Sequence, residues 1–106
     1  MTNLRMKSSP LHAGELVRAF RLLIRQARAE TGFINCRLCL EANHADTICY
    51  EERWETQQDF EDQARSPRYV QILSLMESAT EPPSLEFHFV SETRGLDYLA
   101  SLRGKE

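Results

Sequence analysis

Long apolar runs are missing from this sequence of 106 residues, and nothing in it approaches the ~18 apolar residues that a membrane span needs. The N-terminal stretch Met-Thr-Asn-Leu-Arg-Met-Lys also lacks the apolar core of a secretory signal. We therefore expect a cytoplasmic protein with no membrane partner. In that compartment the three cysteines, Cys36, Cys39 and Cys49, are expected to be reduced thiols.

A basic surface stripe is also missing, because the 13 basic residues are scattered and are outnumbered by 16 acidic ones. Arg18, Arg21, Arg25 and Arg28 recur around one predicted helix, which is typical of a solvated helix face. We therefore expect no nucleic-acid partner. The sequence has no Gly-rich phosphate loop and no Ser-His-Asp set, so it does not imply a nucleotide cofactor.

Cys36 and Cys39 have the spacing of a metal or redox motif, but they fall within a predicted strand. Residues three apart on a strand point to opposite faces, so these two thiols cannot share a metal ion. Cys39 and Cys49 are predicted to face each other across a hairpin, where thiols without further ligands are better explained by packing. We expect no metal site.

Apolar residues make up 42% of the chain, which is enough for one globular domain over residues 1–106. The first predicted elements are a strand at Asn3–Ser8, a helix that starts at Ser9-Pro10 and is capped by Gly32, and two strands at Phe33–Glu41 and Thr47–Glu55. They are followed by a helix that is capped by Thr56 and restarted at Ser66-Pro67, a strand at Leu85–Val90 and a short helix at Gly95–Leu102. This order, β-α-β-β-α-β, predicts a ferredoxin-like α+β fold with a four-stranded antiparallel sheet and helices on one face.

The second and third strands are predicted to form a hairpin with a five-residue loop, Ala42–Asp46. Residue numbers of paired positions then sum to 88, so Arg37 faces Glu51 and opposite charges support the register. The mostly apolar face, predicted to pack on the helices, pairs Leu40 with Ile48, Leu38 with Tyr50, Cys36 with Glu52, and Ile34 with Trp54. The opposite face carries Arg37, Cys39, Cys49, Glu51 and Arg53, and must meet water or a second sheet.

The stretch Glu51-Glu52-Arg53-Trp54-Glu55, followed by Phe60 and Ser66-Pro67-Arg68-Tyr69, resembles the antibiotic biosynthesis monooxygenase (ABM) family. The Thr31-Gly32-Phe33 junction is similar to the family's turn between helix and strand, and the resemblance covers nearly the whole chain. It implies a homodimer whose two sheets pack face to face, a dimeric α+β barrel. Some members are cofactor-free oxygenases of quinols and polycyclic phenols, others degrade haem, and many have no assigned reaction.

The resemblance implies catalytic candidates on the helix-facing side of the third strand. Trp54 matches a tryptophan that contacts the aromatic substrate, and Tyr50 matches a polar residue that hydrogen-bonds it. Both residues also fit a role in the core. Glu52 lies between them and could accept a substrate proton, or it could pair with an arginine or cap a helix.

Four further residues are substrate-binding candidates: Phe60, Gln63, Tyr69 and His88. Gln63 and Arg68 stand where many relatives have histidine, and glutamine cannot act as a base. The axial histidine of haem-degrading members falls near Leu73, which cannot ligate iron, so we expect no haem. His88 lies on the predicted fourth strand, from which it could reach the cavity or the dimer face, and a structural role also fits.

Two functions are compatible with these features. The first is a cofactor-independent monooxygenase of a quinol or polycyclic phenol, because an electron-rich phenolate can itself pass an electron to oxygen. Trp54 and Phe60 would hold the rings, and Tyr50 or Glu52 would handle the proton. The alternative is a non-catalytic homodimer that binds an apolar ligand or a protein partner, which the replaced histidines favour.

Overall fold

The computed structural model describes residues 1–42, 44–89 and 93–104, and within them it has four strands and four helices. In chain order these are β1 Thr2–Lys7, α1 Ala13–Ala27, β2 Phe33–Glu41, β3 His44–Trp54, α2 Gln57–Ala64, α3 Pro67–Met76, β4 Ser84–Phe87 and α4 Leu96–Arg103. The strands form one antiparallel sheet in the order β2-β3-β1-β4. The predicted ferredoxin-like α+β fold is therefore confirmed.

The core lies between the sheet and the helices α1 and α3. Along β1 the side chains of Thr2, Leu4 and Met6 are buried, whereas Arg5 and Lys7 on the other face are exposed. This alternation with period two is what a half-buried strand requires. The core cluster consists of Leu4, Met6, Leu16, Phe20, Leu23, Ile48, Tyr50, Tyr69 and Ile72. Burying each large apolar side chain stabilises the fold by roughly 1.5–3 kcal/mol.

Helix α1 is shorter at both ends than the sequence predicts. It begins at Ala13, because the chain from Ser9 first makes a turn in which the His12 N–H donates to the Ser9 carbonyl over 3.0 Å. It ends at Ala27, so the predicted cap at Gly32 is wrong. Gly32 instead has a φ of +81°, a left-handed conformation that favours glycine, at the turn into β2.

The predicted hairpin register is confirmed over six consecutive pairs, from Asn35–Arg53 to Leu40–Ile48. The predicted pair of Ile34 with Trp54 is wrong. A register shift between Phe33 and Asn35, of the kind that a β-bulge produces, puts Phe33 opposite Trp54 and leaves Ile34 exposed.

The predicted five-residue loop of this hairpin, Ala42–Asp46, is also wrong. Strand β3 begins at His44 rather than at Thr47, and Glu41 pairs with His44. Of the predicted loop residues, Asn43 lies outside the described part of the chain.

Helices α2 and α3 begin as predicted. The hydroxyl of Thr56 accepts a hydrogen bond from the Asp59 N–H over 3.0 Å and so caps α2. Helix α3 restarts after Ser66 with Pro67 in its first turn, where the missing N–H of proline has no cost.

The buried side of α3 carries a charged residue, which shapes the site. The buried residues of this helix are Arg68, Tyr69 and Ile72, whereas Leu73 is exposed. The helix is therefore oriented so that Arg68 enters the core.

The C-terminal elements are short and mostly exposed. Strand β4 ends at Phe87, and Val90 of the longer predicted strand lies outside the described residues. No residue of α4 is buried, and Leu96, Leu99 and Leu102 are all exposed. None of the helices described here is both long and apolar enough to cross a membrane.

Candidate active site

The centre of the candidate site is Glu52, whose side chain is completely buried. The alternation of β3 places it on the helix-facing side of the sheet, between Tyr50 and Trp54. A buried carboxylate is costly unless other groups pair with it and donate hydrogen bonds to it. The surroundings of Glu52 meet both conditions.

Three side chains donate hydrogen bonds to Glu52. The Tyr50 hydroxyl and Arg68 Nη2 donate to Oε2, and Trp54 Nε1 donates to Oε1 over 3.2 Å. The structure thus brings the three predicted catalytic residues together in one hydrogen-bonded group. Of the alternatives that the sequence left open for Glu52, pairing with an arginine is the one observed.

Arg68 is the member of this group that the sequence interpretation missed. Besides its ion pair with Glu52, its Nε donates to the Leu23 carbonyl over 3.1 Å, and Nη2 donates to the Tyr50 hydroxyl over 3.0 Å. Its Nη1 lies 3.5 Å from Gln63 Oε1, so this predicted substrate-binding residue contacts the network. Burial lowers the pKa of Arg68, but the hydrogen bond and charge of Glu52 outweigh this and raise it.

Tyr50 is held as a neutral phenol. Burial raises its pKa, and so do the charge of Glu52 and the hydrogen bond to it. The ring packs on Phe20 with centroids 4.9 Å apart, and the hydroxyl lies 3.6 Å from the thiol of Cys36. Tyr50 can therefore donate a hydrogen bond in this site but cannot serve as a base near neutral pH.

Trp54 ends β3 and is fixed from two sides. Its indole N–H is held by Glu52, and its ring meets Phe33 edge-on with centroids 5.7 Å apart. The residue is 8% exposed, the least buried of the apolar core residues. A small part of its surface thus remains open beside the charged group.

An aromatic cluster adjoins this group on the α2 and β4 side. The ring centroid of Phe60 lies 6.5 Å from that of Tyr69, 5.1 Å from that of Phe87 and 6.2 Å from that of Phe89. Phe60 and Tyr69, both predicted to bind substrate, are therefore brought together. Phe87 and Phe89 were missed, although two phenylalanines at alternate positions of a predicted strand were a usable signal.

His88 stands apart from the other candidates. It lies between Phe87 and Phe89 in the sequence, and its Nε2 is 3.9 Å from Glu86 Oε1. Both side chains are exposed. The structure therefore does not bring His88 together with Trp54, Tyr50 and Glu52.

An open groove of about 380 Å³ lies between α1 and the edge strand β2, and none of the candidate site residues described above lines it. It is lined by Val17, Arg21, Ile24, Leu38, Cys39 and Leu40. No group of three or more His, Cys, Asp or Glu side chains in the described part of the chain is arranged to hold a metal ion.

The sequence model of a family described as antibiotic biosynthesis monooxygenase matches residues 1–75. No curated protein matches the chain.

Several solved structures share the fold. A candidate antibiotic biosynthesis monooxygenase from Nitrosomonas europaea superposes with a TM-score of 0.75 at 15% identity, over 89% of this chain and 91% of its own. Another from Deinococcus radiodurans has a TM-score of 0.77 at 14% identity, over 89% and 94%. A conserved protein from Methanosarcina mazei has a TM-score of 0.72 at 17% identity, over 80% and 85%.

Proposed function

The chain belongs to the antibiotic biosynthesis monooxygenase family, and from that membership we propose that it is a monooxygenase that oxidises a quinol or polycyclic phenol without a metal or organic cofactor. The observation that carries the proposal is the buried group of Tyr50, Glu52, Trp54 and Arg68 beside an aromatic cluster. This arrangement combines a proton acceptor with surfaces that can hold aromatic rings.

The proposed reaction draws its electrons from the substrate. Loss of the phenolic proton makes the ring electron-rich, and the ring then passes one electron to oxygen. The two radicals combine at a ring carbon to give a peroxide. Loss of water breaks the O–O bond and leaves a carbonyl, so that a phenol and O2 become a quinone and water. The protein needs to orient the ring, take the first proton and exclude bulk water.

Glu52 is the better candidate for the proton acceptor. Tyr50 remains a neutral phenol, because burial and the charge of Glu52 raise its pKa. Oε2 of Glu52 already accepts from Tyr50 and Arg68, whereas Oε1 accepts from Trp54 Nε1. A carboxylate oxygen can accept two hydrogen bonds, so we assign the proton transfer to Oε1.

Ring binding is assigned to Trp54 and Phe60. The indole N–H of Trp54 is held by Glu52, so the orientation of its ring is coupled to the proposed base. Phe60 contacts three other aromatic rings, two of which, Phe87 and Phe89, are exposed enough to receive a planar ligand. Offset or edge contacts between such rings each contribute about 0.5–1.5 kcal/mol beyond the area that they bury.

We also propose that the protein is a cytoplasmic homodimer. Members of the family are typically dimeric. The sheet face opposite the helices is polar, and the ion pair between Arg5 of β1 and Glu41 of β2 crosses the central strand β3 on this face. Packing this face on a second copy would make the sheets the inner layers of a barrel.

A specific observation favours the alternative of a non-catalytic dimer that binds an apolar ligand or a protein. The ion pair between Glu52 and Arg68 is buried, Tyr50 and Trp54 also donate hydrogen bonds to Glu52, and Arg68 donates to the Leu23 carbonyl, which is also how a purely structural charge is accommodated. In that case Glu52 would serve stability, and the aromatic cluster would only bind.

Oxygen uptake with 1-naphthol separates these functions, because the oxygenase reaction consumes one O2 for each 1,4-naphthoquinone formed. Binding is followed in parallel by the fluorescence of Trp54, the only tryptophan. We expect both quenching and turnover in EDTA-treated protein, and a loss of turnover of at least about 100-fold in Glu52→Gln. Trp54→Phe, which should reduce turnover, serves as a second variant if Glu52→Gln does not fold. Quenching without oxygen uptake would support the binding protein, and absence of both would reduce Trp54 to a core residue.

A further inference from the structure

Two buried hydroxyl groups, those of Thr2 and Tyr69, have no hydrogen-bond partner of normal geometry among the described residues. The two residues are 1% and 5% exposed. Buried polar atoms in native proteins are nearly always satisfied, so an exception calls for an explanation such as a ligand or an ordered water. The mechanism proposed above uses neither hydroxyl.

The hydroxyls lie between the charged group and the aromatic cluster. Thr2 is paired with Glu52 of β3 on one side and with Phe87 of β4 on the other, so all three side chains point toward the helices. Tyr69 approaches from α3, and its ring is 6.5 Å from that of Phe60. Phe87 is thus the strand neighbour of Thr2, and Phe60 is the ring neighbour of Tyr69, so a ligand whose rings lie against Phe60 and Phe87 lies beside the two residues that carry these hydroxyls.

The chemistry of the pair suits a ligand oxygen. Burial and the charge of Glu52 raise the pKa of Tyr69 to about 12, although the nearby Thr2 hydroxyl and Arg68 oppose the shift. The phenol is thus neutral under physiological conditions and can donate a hydrogen bond, and the Thr2 hydroxyl can donate another. Two donors of this kind match one carbonyl or hydroxyl oxygen, which has two lone pairs.

We propose that Thr2 and Tyr69 form a polar anchor that binds one ring oxygen of an aromatic ligand whose rings lie on Phe60 and Phe87. The inference rests on the proposed function in taking the ligand to be aromatic, and it adds a specificity: the site selects oxygenated rings over bare hydrocarbons. It also assigns a binding role to Thr2, which no motif in the sequence singles out.

The test compares 1-naphthol with naphthalene, which has the same rings but no oxygen. Binding to the full chain is measured by quenching of Trp54 in the wild type, Thr2→Val and Tyr69→Phe. Each variant is expected to bind 1-naphthol about 3- to 10-fold more weakly, as the loss of one neutral hydrogen bond predicts. Naphthalene affinity should not change. Tyr98→Phe, on the exposed helix α4, should bind both compounds like the wild type.

Thermal unfolding without ligand provides an independent readout. Because the hydroxyls lack partners in the free protein, Thr2→Val and Tyr69→Phe should leave the melting temperature unchanged or raise it. A fall of several degrees in both variants, without selective loss of 1-naphthol binding, would mean that the hydroxyls bond each other and would overturn the anchor.

The remaining outcomes separate this inference from the proposed function. If the wild type and both variants bind 1-naphthol equally, the anchor is wrong while the aromatic site stands. If the wild type binds neither compound, the anchor and the proposed function fall together.

Discussion

Arg68 of α3 and Glu52 of β3 form an ion pair in which both side chains are almost completely buried, 5% and 0% exposed. The pair joins a helix to the central part of the sheet, and Arg68 also bonds the α1 backbone through the Leu23 carbonyl. One side chain therefore links three elements at the candidate site. Because charges in a low-dielectric interior are costly to leave unpaired, the two residues depend on each other.

Arg68→Met should lower the free energy of unfolding by about 3–5 kcal/mol, because it keeps much of the apolar stem but leaves Glu52 as an unpaired buried charge. Urea unfolding at pH 7 measures this. Arg65→Met is the matched control: Arg65 is exposed and lies 3.9–4.0 Å from Asp62 and Glu61, so its loss should cost less than about 1 kcal/mol. Combining Arg68→Met with Glu52→Met should recover most of the stability. Equal losses of unfolding free energy in the two arginine variants would show that the buried pair contributes no more to stability than the exposed ones.

Gly32→Ala should destabilise the protein by roughly 1–2 kcal/mol, because φ is +81° there and an alanine would be strained. An added Cβ would also collide with the Asp59 carboxylate. Gly14→Ala is the control, since a Cβ there meets nothing within 4 Å and the residue is helical. Its unfolding free energy should be unchanged or higher by up to about 1 kcal/mol. A Gly32→Ala variant as stable as Gly14→Ala would contradict the assigned turn.

Cys36 should be the least reactive of the three thiols. Burial raises its pKa to about 11, despite the hydrogen bond with Tyr50, so at pH 8 roughly one molecule in a thousand carries the thiolate. Reaction with a disulfide reagent should modify exposed Cys39 first, and Cys36→Ser should leave that fast phase intact. Rapid modification of Cys36 at pH 8 would refute the prediction.

The raised pKa of Cys36 also makes the free energy of unfolding depend on pH. A thiol with a raised pKa in the folded protein contributes stability that is fully present below its ordinary pKa of 9.0 and is lost as the pH rises toward about 11. In Cys36→Ala the decline of stability over this pH range should be shallower.

The proposed homodimer predicts that sedimentation at micromolar concentration gives a two-chain species. Arg53→Glu, on the sheet face opposite the helices, should weaken the dimer at least about tenfold, because reversing one charge disrupts a self-complementary interface. Arg18→Glu, on the exposed side of α1, should have no effect. A stable monomer, or equal effects of both substitutions, would count against sheet-to-sheet packing.

The alternation of apolar and polar residues in the strands, together with the glycine, proline and capping residues between elements, was enough to predict the order of elements and most of the hairpin register. Arg37 opposite Glu51 follows from the pattern, because a shift of one residue would turn every apolar side chain of the strand outward. The ends of elements were not predictable in this way. Ser9-Pro10 has the composition of a helix start, yet the same residues also suit the separate turn that they form.

The candidate site was predicted in part. Tyr50, Glu52 and Trp54 share one strand face, so their juxtaposition follows from period two alone. Arg68 was missed as a site residue, since a charged residue in a helix is normally assigned to the solvent side. Only the tertiary position of α3 shows that it enters the core. The unpartnered hydroxyls of Thr2 and Tyr69 could not be inferred, because hydrogen-bond satisfaction is a property of the folded structure.

The register shift at Ile34 leaves this one residue of β2 without a partner in the ladder. From Asn35 onward the strand follows the regular register of the hairpin, and on the other side of Ile34 Phe33 lies opposite Trp54, so an aromatic ring rather than an aliphatic chain meets the indole. Deleting Ile34 would make Phe33 and Asn35 consecutive and would leave the same ring opposite Trp54. The contact between Phe33 and Trp54 is therefore tolerant of a one-residue change in the length of β2.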